Sequence, residues 1–193
     1  MTQATVVDYR ERVVNAAGVV TDTLGSLTTE GPLSPQNWLE AMREELKREY
    51  ISQYLLGIGG RDQMTQADWG RIGGMLTEQY GHLDNFYSEI VAGKLSDAQI
   101  AARSRMYSAS TREAFERANA QAWGAPPLPA YPCDGKVCAG LTNCACSWEI
   151  VAIKATEEGT EWVCYWRLGF VKTEHCAPCE LAASEWNPLI VTA

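Results

Sequence analysis

Apolar positions recur along this chain with two periods. Up to about residue 123 they repeat every three or four residues, as on one face of a helix, and from about 147 to 168 they alternate, as on one face of a strand. The first weak stripe, Val6, Val13, Val14, Ala17 and Val20, predicts a helix over 5–25 that ends near Gly25, with a polar loop over 26–33. Ser34-Pro35 then offers an N-cap and a proline at the first helical position, where a missing N–H costs nothing. Trp38, Met42, Leu46, Tyr50 and Tyr54 follow at steps of four beside Leu39 and Leu55, which predicts a helix near 36–56 stopped by Gly57-Ile58-Gly59-Gly60.

Thr65 with Asp68 three residues on predicts the cap of a helix near 66–92. Its seam is expected to be Trp69, Ile72, Leu76, Leu83, Tyr87 and Ile90, with Gly73, Gly74 and Gly81 letting a neighbouring helix approach closely. Gly93 ends it. Ser96 with Gln99 forms a capping box, Leu95 can staple onto Ile100, and the helix so started is expected to run over 97–122 before Gly124 and Pro126-Pro127. Arg103, Arg105, Arg112 and Arg117 on that helix share no face and alternate with Glu113 and Glu116, as a solvated surface does.

A proline-rich joint, Pro126 to Pro132, separates this helical part from the alternating part and places a domain boundary at 125/126. Beyond it, Trp148, Ile150 and Ala152 alternate with Glu149, Val151 and Ile153, and Trp162, Cys164 and Trp166 with Val163, Tyr165 and Arg167. An antiparallel hairpin with arms near 147–155 and 161–168 follows, turning at Glu157-Glu158-Gly159-Thr160. The tail from Glu180 to Trp186 reads as one or two helical turns broken at Asn187-Pro188. The fold class expected is α+β: a helical domain over 1–125 and a small cysteine-rich zinc-binding β-hairpin module over 126–193.

Charge narrows the chemistry. The net charge is −8, and each of the two parts carries −4, so neither offers the basic footprint that phosphate backbones require. No apolar run of about 18 residues is present to span a bilayer, and the N-terminus lacks the apolar core of a signal peptide. The expected setting is cytosolic. There thiols stay reduced, and seven cysteines, an odd number, point to metal rather than disulfides.

Two thiol clusters bracket the hairpin. Cys138, Cys144 and Cys146 precede it, and Cys176-Ala-Pro-Cys179 follows it, so strand pairing would bring them together. A zinc ion held by four thiolates needs ligands at about 2.3 Å in a tetrahedron, and a Cys-x-x-Cys turn supplies two of them. The expected ligands are Cys144, Cys146, Cys176 and Cys179, with Cys138 or His175 able to replace one. A closed set of four leaves no open position for hydrolytic chemistry. Cys164 is expected to be a buried strand residue, and Cys133 a plain thiol in the joint. A thioredoxin-like redox pair would need a βαβ context that is absent, the glycines at 57–60 lack the lysine and preceding strand of a phosphate loop, and no Ser-His-Asp or Cys-His constellation can be assembled with His82. An enzyme is not expected.

Three strings carry a resemblance: Leu-Pro-Ala-Tyr-Pro-Cys-Asp-Gly from Leu128, Leu-Thr-Asn-Cys-Ala-Cys-Ser-Trp-Glu-Ile from Leu141, and Glu-His-Cys-Ala-Pro-Cys-Glu-Leu-Ala-Ala from Glu174. They resemble the C-terminal part of minor head, or head-morphogenesis, proteins of tailed bacteriophages. Tyr54 to Gly60, Met64 to Asp68 and Leu95 to Arg103 look like the helical region that precedes it there, so the likeness covers about 35–188. Two departures stand out: Cys133 replaces an expected glycine, and Cys138 lies farther from Cys144 than in the family pattern, which leaves its ligand role open. The resemblance implies a non-enzymatic virion protein made in the host cytoplasm. It would act in head assembly with the portal or the major capsid protein and bind no membrane, no small-molecule substrate and no nucleic acid directly. The alternative is a zinc-ribbon-like nucleic-acid-binding protein.

Overall fold

The structure, a computed structural model, describes residues 35–129, 146–168 and 175–193. The expected helix over 5–25, the Ser34 cap, Cys133, Cys138 and Cys144 lie outside the described residues. Among those described are five α-helices and one three-stranded antiparallel sheet, so the fold is α+β. The chain divides into two compact units between Ala118 and Asn119.

In the first unit, helix α1 spans Pro35–Ile58 and buries Trp38, Met42, Leu46, Tyr50 and Tyr54 completely, as the steps of four require. Burying each such side chain contributes on the order of 1.5–3 kcal/mol. Gly59, at a φ of 94°, ends α1, and the Gly60 N–H returns to the Leu55 carbonyl at 2.8 Å, which satisfies one of the carbonyls a helix end leaves open. A short 3₁₀ turn over Arg61–Gln63 leads to α2, Gln66–Val91. Thr65 and Asp68 form the expected capping box.

Asp68 also accepts from the Tyr54 hydroxyl at 2.6 Å and from Arg71 at 2.7 Å, latching the start of α2 to α1. Burial acts to raise the pKa of this carboxyl, but the bonds from Thr65 and Tyr54, with the Arg71 charge, hold it down at about 2. Turning Asp68 inward leaves Trp69 at the rim, 39% exposed, and the seam runs instead through Ile72, Leu76, Gln79, Leu83 and Phe86. These recur at three and four, the 3.5-residue repeat of paired helices. The expected close approach at the glycines is corrected: among the described residues, no atom of a neighbouring element lies within 4 Å of a Cβ built on Gly73, Gly74 or Gly81.

The Ser96–Gln99 box is present, with the Ser96 N–H donating to Gln99 Oε1 at 2.9 Å. The helix it starts is not continuous over 97–122. It breaks at Thr111 into α3, Asp97–Ser110, and α4, Arg112–Ala122. Hydroxyls compete with the helical ladder here: Ser104 Oγ donates to the Ile100 carbonyl at 2.9 Å, and Ser110 Oγ to that of Tyr107 at 2.7 Å. Arg103 meets Glu89 and stacks over the Phe86 ring, Arg117 meets Glu113, and Arg112 meets Glu116. No helix among the described residues is long and apolar enough to cross a membrane.

The second unit holds β1 (Ser147–Thr156), β2 (Gly159–Arg167), α5 (Ala177–Glu185) and β3 (Leu189–Thr192), in sheet order β1-β2-β3. Trp148 pairs with Trp166 and Ile150 with Cys164, as alternation requires. A bulge at Val151 then shifts the phase, so Ile153 rather than Ala152 falls opposite the inward Trp162. Only Glu157 and Glu158 remain in the turn, because Thr156 already pairs with Gly159. The strand β3 was not expected, and it adds Leu189 and Val191 to the core side of the sheet. Trp148, Trp166 and Trp186 pack ring on ring, with centroids 5.1–5.9 Å apart. Ala120, Trp123 and Leu128 pack against this same core, and Trp162 Nε1 donates to the Trp123 carbonyl at 2.8 Å.

Candidate metal centre

The two ends of the hairpin segment meet at one side of this core. Cys146 stands immediately before β1 and is buried. Cys176 is the N-cap of α5, with an extended backbone at φ −71° and ψ 144°, and Pro178 sits in the first turn, where its fixed φ suits the helix. The Cys179 N–H donates to the Cys176 carbonyl at 2.9 Å and the Glu180 N–H to the same oxygen at 3.1 Å, so Cys-x-x-Cys is the opening turn of α5. That turn starts the helix earlier than the expected Glu180. Cys179 is fully buried, and Cys146, Cys176 and Cys179 join one apolar cluster.

His175 approaches this group. Its Nδ1 lies 3.9 Å from Cys146 Sγ. The Trp148 indole N–H is buried in the same core without a hydrogen-bond partner.

Of the expected ligands, Cys146, Cys176 and Cys179 belong to one apolar cluster, while Cys144 and Cys138 lie outside the described residues. Among the described residues no three His, Cys, Asp or Glu side chains stand close enough to hold a metal by themselves. No disulfide forms among the described cysteines. Cys164 is a buried strand residue opposite Ile150 and Leu189, and burial pushes its thiol pKa up, away from the thiolate a metal needs.

The donor chemistry suits zinc: soft thiolates with one borderline imidazole at hand. What sequence reasoning missed lies in the helical unit, where Glu45, Glu49 and Gln53 are buried along α1. Their spacing of four was visible beside the apolar stripe, but polar side chains on a helix ordinarily face water. No family model, curated protein or solved structure matches the chain, so the centre is read from its own residues.

Proposed function

We propose that the protein is a non-enzymatic structural component of a tailed-phage virion, a minor head protein that acts in head assembly with the portal or the major capsid protein, and that its C-terminal module is pinned by zinc. The ligands are Cys144, Cys146, Cys176 and Cys179, with Cys138 or His175 as the substitute for one of them. The observation that carries the metal reading is that Cys146, Cys176 and Cys179, about thirty residues apart along the chain, belong to one apolar cluster, with His175 beside Cys146. Zinc bound there would supply a cross-link, and its binding energy would become folding energy of the small sheet. The virion reading rests on the resemblance of the strings around these cysteines and of the capped helices before them.

The competing reading, a zinc-ribbon-like nucleic-acid-binding module, calls for cations free to meet phosphate. Arg43, Arg71, Arg103 and Arg167 each face a carboxylate instead. Two measurements test the proposal. Purified full-length protein is expected to carry one equivalent of zinc by elemental analysis, and mass spectrometry of purified virions is expected to find this chain at low copy. Metal-free protein with an intact sheet would overturn the metal centre. Absence from virions would overturn the assembly role.

A further inference from the structure

Beside its apolar stripe α1 carries a second buried row. Glu45, Glu49 and Gln53, each four residues apart, are 7%, 3% and 0% exposed. Arg48 bonds Glu45. Neither carboxyl oxygen of Glu49 and neither polar atom of the Gln53 amide has a hydrogen-bond partner. An ionised carboxylate so placed has lost its water and has only the weak pull of Arg48 in exchange, and a like charge sits one turn away, so the proton is the cheapest partner it can take.

The groups around it leave that need unmet. On α1, Glu45 repels the charge, and Arg48, which attracts it less strongly, is engaged by Glu45. From α2, Asp68 is engaged by Tyr54, Thr65 and Arg71, and Asp84 by Arg43. Arg103 of α3 is engaged by Glu89, and Arg112 of α4 lies beside Glu116. Among the described residues no cation of α2, α3 or α4 acts on Glu49.

We propose that Glu49 carries a proton in the folded helical unit and that loss of this proton is a switch that loosens α1 from the core. A neutral carboxyl donates as well as accepts, as an amide does, so a protonated Glu49 has a complementary group one helical turn on, at Gln53. A carboxylate could only accept. Burial first, and the Glu45 charge second, push this carboxyl up to about 8. The folded state therefore binds a proton that the unfolded chain, with an ordinary glutamate, releases at about pH 4.5. Stability is full below that pH and falls as pH rises, until Glu49 ionises in the folded state near 8.

The test is hydrogen exchange of the α1 amides in the full-length protein between pH 6 and 8, corrected for the intrinsic chemistry. Protection is expected to fall about tenfold per pH unit, the effect of one linked proton. Glu49→Gln is expected to abolish the fall. Glu45→Gln, which removes the neighbouring anion, is expected to end it at a lower pH. Unchanging wild-type protection, or the same fall in Glu49→Gln, would overturn the switch. Should Glu49→Gln not fold, a carbon-13 titration of the glutamate carboxyls in wild type decides. One resonance titrating well above the others supports the switch, and all of them titrating below pH 6 refutes it.

Discussion

The two units solve the same problem with different means. In the helical unit the starts of α2 and α3 read out of their own local chemistry, with capping boxes at Thr65 and Ser96, and the core is a broad cluster running from Trp38 to Ala118. The sheet unit has a small core whose members include three Trp of one aromatic stack and four cysteines. A three-stranded sheet with one helix is near the lower limit of what hydrophobic burial holds together. Local signals thus organise the larger unit, whereas long-range pairing organises the smaller, where a cross-link removes the most chain entropy.

The sharpest way to break this contrast is to remove the proposed zinc cross-link. Cys176→Ser, or a zinc chelator, is expected to abolish the near-UV signal of the tryptophan stack while most helical circular dichroism remains. Structural zinc contributes roughly 10 kcal/mol or more in small modules, beyond what this core could replace. A stack that survives metal loss would place the sheet in the same class as the helices. Next in size, Leu46→Ala in α1 opens a cavity in a fully buried site and is expected to cost about 2–5 kcal/mol in urea unfolding followed by helical signal.

A smaller effect is expected at the hairpin turn. Gly159 has a φ of 138°, and a Cβ there would come within 2.6 Å of the Ala193 carbonyl, so Gly159→Ala is expected to cost roughly 1–3 kcal/mol, read from the tryptophan signal. The smallest effect has the opposite sign. Gly74 lies exposed inside α2 with open space around it, and Gly74→Ala is expected to stabilise the helical unit by about 0.5–1 kcal/mol. A destabilised Gly74→Ala would show that the glycines serve close packing after all.

Features carried by neighbours in sequence were legible: the α1 stripe, both boxes and the two arms of the hairpin. Features decided by partners far along the chain were not. Asp68 turns inward because Tyr54, fourteen residues away, supplies a hydroxyl, and Trp69 is displaced in consequence. The break at Thr111 pits hydroxyl bonds against one more helical turn, a contest that capping rules at the ends cannot score. The four residues of β3 are too few to show a period, although Ile190-Val191-Thr192 after Asn187-Pro188 held the β-branched signal. At the centre, the Cys-x-x-Cys turn was plain from spacing alone. The approach of His175 to Cys146 depends on how α5 docks, which no spacing encodes.

The Tyr54–Asp68 latch has a consequence for the acid side of the pH scale. Asp68 is held at about 2, so its bonds persist in conditions that discharge ordinary carboxylates, and they fail only as pH falls through that value. Glu49 sets the opposite limit, since it costs most once it must ionise in place. One α1–α2 pair thus contains two carboxyls whose proton affinities have been driven apart: what Asp68 contributes is lost as pH falls towards 2, and what Glu49 contributes is lost as pH rises from about 4.5 to about 8.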